Sequence, residues 1–521
     1  MISLLLAGAA SLALQTPEPT PEQDTNPAVE PAVDPGPSPL DTLVDDNARS
    51  AAPALAPTGD PVLDRLNAME ARIRQLEARN AELEQQAELN QERLESVETR
   101  AAKAAQFTWA PTIADTTGAF TFKPRGVVEA DGAAFFERRG GYDYNNGTGF
   151  RRARTGLEGT ALKWFNYRIE VDFAGNVVNL TDAYLQYTKI PKVVLTLGQH
   201  KAPFGLESNN SDNYNMFMER GMFTNAFGNA VAERRIGFSA AYAPRETINV
   251  AVGAFGDNES IGRSNNPPAL ATNTPDESWG FNGRATWEPL FQPGKIIHLG
   301  LSGAYRTALK AGDVEDAVRL TDRPNIRIDN GNIADTGLIS AALGGGGAAV
   351  KSLRYGGLEA AGVFGPLTLA GEYGKVWLDR EGAGNISFNG FYGYASYFIT
   401  GETRPFRGGN FDRVRPFTEL GKDGLGAFEV ALRYDKIDLS NTPGCRAAPT
   451  TAASFLIPCA ATSIADGNEA SSITLGLNWY FNPFAKLMFN WVRFRGDNTP
   501  LDPVGDKAAG DVLATRLHLD F

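Results

Sequence analysis

The sequence predicts an all-β transmembrane protein, a 16-stranded antiparallel outer-membrane β-barrel that follows an N-terminal parallel, trimeric coiled coil. Three observations carry this prediction: a last strand that alternates in polarity and ends on an aromatic residue, fifteen further segments with the same alternation, and a heptad repeat in residues 62–106. Side chains alternate every two residues in a strand, whereas apolar residues recur every seven in a coiled coil. The chain therefore has a helical part and a β part.

The C-terminal strand has one apolar face and one mostly polar face. The first face carries Leu513, Thr515, Leu517, Leu519 and Phe521. The second carries Ala514, Arg516, His518 and Asp520. A membrane barrel strand has this pattern because its outer face meets lipid, its inner face meets a wet lumen, and ring closure leaves no unpaired edge.

The same alternation, with charged residues on the polar side, recurs after Trp109. We place strands at residues 125–136, 151–162, 166–174, 180–188, 193–201, 234–243, 248–257, 279–289, 296–306, 352–364, 367–376, 387–400, 425–439, 471–481, 485–495 and 512–521. Short and long connections broadly alternate between them, as periplasmic turns and extracellular loops do in such barrels. Residues 401–424 are an exception, because this long segment falls on the side of the short turns.

Composition and charge are compatible with a barrel. Apolar residues make up 42% of the chain and the mean hydropathy is −0.25. No run approaches the ~20 apolar residues that a membrane helix needs. The net charge is −12, but residues 1–106 hold 8 basic and 18 acidic side chains, which leaves 41 and 43 for the remainder. The barrel is therefore close to neutral, which does not argue against an anion-conducting pore.

The first 61 residues predict export rather than a folded core. Residues 1–15 are rich in Leu and Ala and resemble a secretory signal peptide, although they lack the Lys or Arg that usually occurs near the start of one. Residues 16–61 are rich in Pro, Asp and Glu, which predicts a disordered or extended linker. In an exported chain the two cysteines, Cys445 and Cys459, predict a local disulfide, and two free thiols are the alternative.

Residues 62–106 carry a heptad repeat. The a positions are Leu66, Ile73, Asn80, Ala87 and Leu94, and the d positions are Val62, Met69, Leu76, Leu83, Asn90 and Val97. Arginines recur at g and glutamates at e, so that Arg72, for example, meets Glu77 of a neighbouring parallel helix. The repeated pattern Arg-apolar-x-x-apolar-Glu resembles a trimerisation signature of short parallel coiled coils. A solvated single helix is the alternative.

No catalytic or metal-binding constellation is evident. The three histidines, His200, His298 and His518, have no metal-ligand spacing with one another, and His518 lies on the polar face of the last strand. We therefore expect no enzymatic activity, no cofactor, no metal and no nucleic-acid partner. An outer-membrane hydrolase would need a Ser/His pair on adjacent strands, and no such pair is obvious.

The long loop after the fifth predicted strand combines bulky apolar residues with cations. Phe204, Met216, Phe217, Met218 and Phe227 share it with Arg220, and Lys201, Arg234 and Arg235 flank it. A loop this apolar should pack against the barrel interior, and the constriction it forms would decide which solutes pass.

Several segments of the chain resemble the phosphate-selective porin O and P family. They are KAPFGLE at 201–207, FMER at 217–220, NAF at 225–227, PRGVVEAD at 124–131, FRRARTGLEG at 150–159 and parts of 398–439. The resemblance covers about residues 120–521. It implies a trimeric sixteen-stranded barrel whose third loop folds inward, with arginines along the pore and phosphate bound by a constriction lysine.

The resemblance assigns six candidate pore and anion-binding residues: Arg152, Arg154, Lys201, Arg220, Arg234 and Arg235. Arg152 and Arg154 match the FRRAR segment, and Lys201 matches the lysine of the strand-to-loop motif. Arg220 could instead pair with Glu219 and brace the loop. Arg234 and Arg235 should alternate in direction, so that at most one faces the lumen.

The sequence as a whole predicts a Gram-negative outer-membrane porin with a periplasmic N-terminal region. Small hydrophilic solutes, preferentially anions such as phosphate, would diffuse passively through a lumen narrowed by the third loop. Its partners would be two further copies of the chain, outer-membrane lipid and small anionic solutes. The alternative is a structural tether from the outer membrane to the peptidoglycan cell wall, in which conduction is incidental.

Overall fold

The computed structural model describes residues 60–106, 112–139, 142–257, 277–311, 314–340, 348–422, 424–440, 469–497 and 507–521, with the side chains of 89–106 left aside. Internal contacts divide the chain into two units, Met1–Glu95 and Ser96–Phe521. The predicted signal peptide, almost all of the predicted linker, and both Cys445 and Cys459 lie outside the described residues.

A single helix, α1 (Pro61–Ala104, 44 residues), covers the heptad segment. The Asp60 carboxylate accepts the Val62 N–H (2.9 Å), and Pro61 occupies the first turn, where no intrahelical N–H is needed. The heptad apolar side chains described in this helix, from Val62 to Leu83, are exposed along the single chain. Among the described residues, no helix combines the length and the hydropathy required to cross a bilayer.

Sixteen long strands form the barrel. They are β1 (Thr121–Arg139), β2 (Gly147–Ala161), β3 (Phe165–Asp172), β4 (Asn179–Tyr187), β5 (Val193–Lys201), β6 (Arg234–Arg245), β7 (Ile248–Phe255), β8 (Trp279–Gln292), β9 (Lys295–Thr307), β10 (Val350–Phe364), β11 (Leu367–Arg380), β12 (Ile386–Phe398), β13 (Ala427–Asp438), β14 (Glu469–Asn482), β15 (Ala485–Asp497) and β16 (Lys507–Asp520).

Each strand pairs antiparallel with the next, and β16 pairs with β1, so that the ring is closed. Phe521 exchanges two backbone hydrogen bonds with Gly126 (3.0 and 3.3 Å) at the seam. The remaining short strands pair as Ala105–Gln106 with Thr112–Ala114, Lys310–Ala311 with Val314–Glu315, Thr321–Asp322 with Ala334–Asp335, and Phe406–Arg407 with Asn410–Phe411.

The prediction of sixteen antiparallel strands is confirmed, and the differences are confined to strand ends. Strand β1 begins four residues before its predicted start, and β16 begins at Lys507 rather than at residue 512. Strands can continue beyond the lipid, where neither face has to be apolar. The alternation in polarity therefore underestimates the length of β1 and β16. For β7 and β13 the predicted strand is instead longer than the observed one by two or three residues.

Burial in the barrel is the reverse of that in a soluble protein. On β13–β16 the exposed side chains are mostly apolar: Val430, Leu432, Ile473, Leu475, Leu477, Phe489, Leu513, Leu517 and Leu519. Arg493 and Arg495, near the end of β15, are exposed as well. On the same strands the buried face carries many polar and charged side chains: Glu429, Arg433, Asp435, Thr474, Asn478, Lys486, Asn490, Arg516 and His518. Apolar residues such as Val492, Phe494 and Val512 are buried toward the ends of these strands. This arrangement is favourable only where the outer face meets lipid.

Three connecting segments pack against the inner face. Loop L3 (residues 202–233) contains α2 (Leu206–Asn209), the 3₁₀ turn Asp212–Tyr214 and α3 (Met222–Val231). The others are the described residues of loop L5 (308–311, 314–340 and 348–349) and, at the opposite barrel end, those of the long turn (399–422 and 424–426). Within the described part of the chain, a further 3₁₀ turn is Ala174–Asn176.

Loop L3 and the long turn meet within the barrel. The Phe411 N–H donates to Asn210 Oδ1 (3.0 Å), and Arg404 Nη1 donates to the Tyr214 carbonyl (3.2 Å). Because L3 enters from one end and the long turn from the other, these contacts lie in the interior. Residues 401–424, the long segment on the side of the short turns, therefore fold back into the barrel.

Substitution of an outward residue tests the lipid-facing assignment. We expect Leu475→Arg, in the middle of β14, to lower the free energy of unfolding in lipid vesicles by about 2–4 kcal/mol, since a guanidinium near the bilayer midplane is poorly solvated. Glu246→Arg, in the exposed turn between β6 and β7, is the control and should have little effect. Equal urea midpoints for both variants would contradict the assignment.

Candidate functional site inside the barrel

The backbone of L3 is fixed by carboxylates that replace solvent. Glu372, on β11, accepts the N–H groups of Leu206 (2.6 Å) and Glu207 (2.9 Å). The Glu207 carboxylate accepts the Gly221 N–H (2.8 Å) and lies 3.4 Å from Arg433 of β13. These contacts join both helical segments of the loop to the barrel wall. They satisfy amides that would otherwise be buried without partners.

The apolar residues of L3 pack against one side of the barrel. Phe204 lies 4.3 Å from Tyr355 of β10 between ring centroids, and Phe217 lies 5.8 Å from Tyr394 of β12. Phe223 stacks on Tyr392, the neighbouring inward residue of β12, at 5.9 Å. The loop thus rests on β10–β12, whereas its charged side chains Asp212 and Glu219 reach strands β2, β5 and β16.

Asp212, in the 3₁₀ turn of L3, collects four cations. Its carboxylate lies 3.0 Å from Arg154, 3.3 Å from Arg152 and 3.8 Å from Lys201, and it also accepts a hydrogen bond from Arg220. Burial alone would raise the pKa of this carboxyl group. The four cations instead hold the pKa well below its ordinary value, so Asp212 is ionised.

A β-bulge directs two consecutive arginines inward. The pairing of β1 with β2 shifts between Glu129↔Arg152 and Ala130↔Phe150, so Arg151 has no opposite partner. Phe150 faces outward and is 64% exposed. Arg151 then bonds Glu219 of L3 at 2.7 Å, while Arg152 bonds Glu129 at 2.5 Å.

Glu219 is a second point where several cations meet. Besides Arg151, it contacts Arg516 of β16 (3.0 Å) and Arg327 of L5 (3.5 Å). Arg516 also forms a two-pronged pair with Asp131 (2.7 Å for each nitrogen) and donates to the Met218 carbonyl. Arg516, on the last strand of the barrel, therefore connects that strand to L3 and to β1.

A chain of ion pairs runs along the wall from β1 to β6. Glu158 contacts Lys123 (3.3 Å), Arg125 (2.7 Å) and Arg168 (2.8 Å). The chain continues from Arg168 to Asp182 (3.8 Å) and from Asp182 to Arg234 (2.8 Å). We call Lys123, Arg125, Glu158, Arg168, Asp182 and Arg234 the charged row.

In three of the interior ion pairs the cation is much more accessible than the carboxylate. Arg168 is 28% exposed and Asp182 is 8% exposed; for Arg151 and Glu219 the values are 29% and 3%, and for Lys201 and Asp212 they are 20% and 4%. The order is reversed for Arg220 and Glu233 (10% and 35%) and for Arg125 and Glu158 (17% and 23%), and Arg154 and Asp172 are about equally exposed (10% and 11%). In the first three pairs the positive group is therefore the more accessible one.

The six predicted residues are all buried or half-buried next to carboxylates. Arg152, Arg154, Lys201 and Arg220 converge on Asp212, and Arg234 pairs with Asp182. Arg235 pairs instead with Asp257 (3.1 Å) and donates to the carbonyls of Asn229 and Ala230 in L3. It is thus separate from the other five.

Two finer expectations are wrong. Arg220 does not pair with the adjacent Glu219, because the two side chains diverge to Asp212 and to Arg151. Arg234 and Arg235 do not point to opposite sides of the barrel wall, since both pair with interior aspartates at the point where β6 leaves L3. Strict alternation is lost at this strand end.

Sequence reasoning missed Asp212, Glu219, Arg151 and Arg516 as members of the site. Arg516 carried a usable signal, because it lies on the polar face of the last strand. Arg151 carried none, since strict alternation would place it on the outside. The position of His518 on the polar face is confirmed: the ring lies between Glu129 (3.1 Å) and Asp520 (3.3 Å). The described residues contain no cluster of His, Cys, Asp and Glu suited to a metal ion.

Comparison with known proteins places this chain among porins. Residues 122–521 match the family model described as "Phosphate-selective porin O and P". Porin O of Pseudomonas aeruginosa is 28% identical over 443 residues, 78% of this chain and 90% of that protein. An uncharacterized protein of Caulobacter vibrioides is 32% identical over 346 residues, 66% of each chain.

Among solved structures, the similar ones include an anion-selective porin from Comamonas acidovorans. It is 15% identical with a TM-score of 0.47, and the match covers 77% of this chain and 100% of that one. The trimer form of OmpT from Vibrio cholerae is 12% identical with a TM-score of 0.45, at 77% and 100% coverage.

Removal of the Arg516 side chain tests the attachment of L3. We expect Arg516→Met to lower the free energy of unfolding by about 3–5 kcal/mol, because Asp131 would stay buried without its main cation and Glu219 would lose one of three. Arg516→Lys keeps the positive charge but cannot form the two-pronged pair with Asp131. Its free energy of unfolding should therefore lie between those of the native protein and of Arg516→Met. The control, Arg495→Met, removes an exposed arginine whose ion-pair partner among the described residues is Asp497. A stable Arg516→Met variant in urea titrations would show that this attachment is not required.

Proposed function

The chain belongs to the phosphate-selective porin O and P family of outer-membrane channel proteins, and from this premise we propose that it conducts small hydrophilic solutes passively, with a preference for anions. The solutes would pass along the wall formed by β1–β6, past the charged row. The observation that carries the anion preference is that Arg151, Arg168 and Lys201 are more exposed than Glu219, Asp182 and Asp212, the carboxylates paired with them.

The constriction is proposed to lie where L3 faces the β1–β6 wall. The apolar side of L3 packs on β10–β12, which leaves its charged side toward the opposite strands. Cations on that wall would raise the local concentration of small anions such as phosphate without any energy input. The six predicted residues keep this proposed role in part: Arg152, Arg154, Lys201, Arg220 and Arg234 would act at the constriction, and Arg235 would hold L3.

Trimeric assembly is proposed for the N-terminal helix. The exposed apolar stripe described along α1, including Leu66, Ile73 and Leu83, would be covered by two further copies in a parallel coiled coil. The g-position arginines and e-position glutamates are complementary in charge. A barrel trimer in the outer membrane would then carry this helix on its periplasmic side.

Recording from single channels in planar bilayers tests the pore. A porin should give large steady conductances, with a reversal potential in a KCl gradient that indicates chloride preference. Closed or absent channels would favour the alternative, a tether to the peptidoglycan cell wall whose acidic N-terminal arm makes the attachment. A reversal potential that indicates potassium preference would support a pore and reject the anion preference.

Neutralising one cation of the charged row tests its role in selectivity. We expect Arg168→Gln to lower the chloride-to-potassium permeability ratio about sixfold, since one charge ~8 Å from an ion in water changes the energies of chloride and of potassium by about 0.5 kcal/mol each, in opposite directions. Glu158→Gln should raise the ratio. Arg495→Gln removes an equal charge from a strand end and serves as the control. Identical ratios for Arg168→Gln and the control would exclude the charged row from selectivity.

A charge-reversal pair tests the coiled coil. We expect a peptide of residues 60–106 to sediment as a trimer. Arg72→Glu should destabilise it by about 1 kcal/mol, summed over three g–e′ pairs. Adding Glu77→Arg to the same peptide should restore the melting temperature, because the pairing is then re-formed with opposite signs. A monomeric peptide would refute the assembly.

A further inference from the structure

Asp212 differs from a simple ion-pair partner in the number and origin of the cations around it. They come from β2 (Arg152 and Arg154), from β5 (Lys201) and from L3 itself (Arg220). The Asp212 carboxylate belongs to a turn of L3, and L3 packs on β10–β12 rather than on β2 or β5. The loop therefore brings the carboxylate to Arg152, Arg154 and Lys201 on the barrel wall.

Both carboxylate oxygens are used. Oδ2 lies 3.0 Å from Arg154 and 3.3 Å from Arg152, while Oδ1 faces Arg220 and Lys201, the latter at 3.8 Å. An oxyanion held by two arginines on one side and by a lysine and an arginine on the other would use its oxygens in the same way. The Asp212 carboxylate thus has the position and the partners of a bound oxyanion.

The position is close to solvent on one side. Lys201 is 20% exposed and the neighbouring Glu233 is 35% exposed, although Asp212 itself is buried. Without Asp212 the four cations would repel one another more strongly. Glu129 would remain beside Arg152, Asp172 and Glu170 beside Arg154, and Glu233 3.7 Å from Arg220, so that Lys201 would be the cation with no carboxylate within 4 Å among the described residues. An anion arriving from the lumen could restore the balance.

We propose that Asp212 is a tethered anion, which occupies an oxyanion-binding position beside the pathway and prevents permeating phosphate from being retained there. This inference rests on the proposed porin function and adds the residue that sets its affinity for oxyanions. In the native protein, phosphate would pass with weak block. Without the carboxylate, the same four cations would bind phosphate.

A role for Asp212 only in bracing L3 makes the opposite prediction. If the carboxylate merely holds the loop, its removal loosens L3, and phosphate gains no affinity. The decisive observation is therefore a gain of binding, which a loss of structure does not produce.

The experiment compares the native protein with Asp212→Asn and Asp212→Ala in planar bilayers, with inorganic phosphate titrated against chloride current. We expect the half-blocking phosphate concentration to fall about tenfold in Asp212→Ala, the change given by a single additional charge-assisted hydrogen bond of about 1.4 kcal/mol. Asp212→Asn, which still fills the space, should show a smaller fall. Asp329→Asn, in L5, is the control, because Asp329 is held by Tyr142, Asn145 and the Gly331 amide.

The native recording separates the two proposals. Absence of channels in the native protein rejects the porin function. Native channels with the same phosphate block in Asp212→Ala and Asp329→Asn reject the tethered anion alone.

A second measurement tests the proposal even if the Asp212 variants fold poorly. Asp212→Ala is refolded with phosphate or with chloride at equal ionic strength and is scored by heat-modifiable migration on gels. We expect phosphate to raise both the refolding yield and the melting temperature of this variant and to leave the native protein unchanged. A defect that phosphate does not correct would overturn the proposal.

Discussion

Closure of the sheet is the constraint on which the rest of this structure depends. A bilayer offers no hydrogen bonds to backbone amides, so every strand must be paired on both sides, and β16 has to return to β1. Once the ring is closed, each strand has one face toward lipid and one toward the lumen. The inverted burial, with leucines exposed and arginines buried, follows directly from that division.

Closure also places the interior charges where they need partners. Transfer of a guanidinium or a carboxylate away from water costs several kcal/mol, and only pairing and additional hydrogen bonds compensate for it. L3 supplies such partners through Asp212 and Glu219, and the wall supplies Arg151, Arg152, Arg154 and Arg516. The ion pairs are thus better understood as the attachment of the loop than as a net source of stability.

The same pairing explains how a near-neutral barrel can favour anions. Selectivity depends on which charges a solute approaches, and the carboxylates paired with Arg151, Arg168 and Lys201 lie deeper than these cations. Residues 107–521 contain 41 basic and 43 acidic side chains, but these counts do not show how far each charged group lies from the lumen. The proposed preference thus arises from geometry at nearly constant total charge.

The sequence alone determined the number and order of the strands, the extent of α1 and the segments that resemble the porin O and P family. These features depend on local periodicity, which is written along the chain. The tertiary structure alone decided the inward direction of Arg151, the separate pairing of Glu219 and Arg220, and the four cations around Asp212. Those features depend on a bulge and on contacts between residues far apart in the chain. No local pattern encodes such contacts, because they exist only once the ring has closed around the loop.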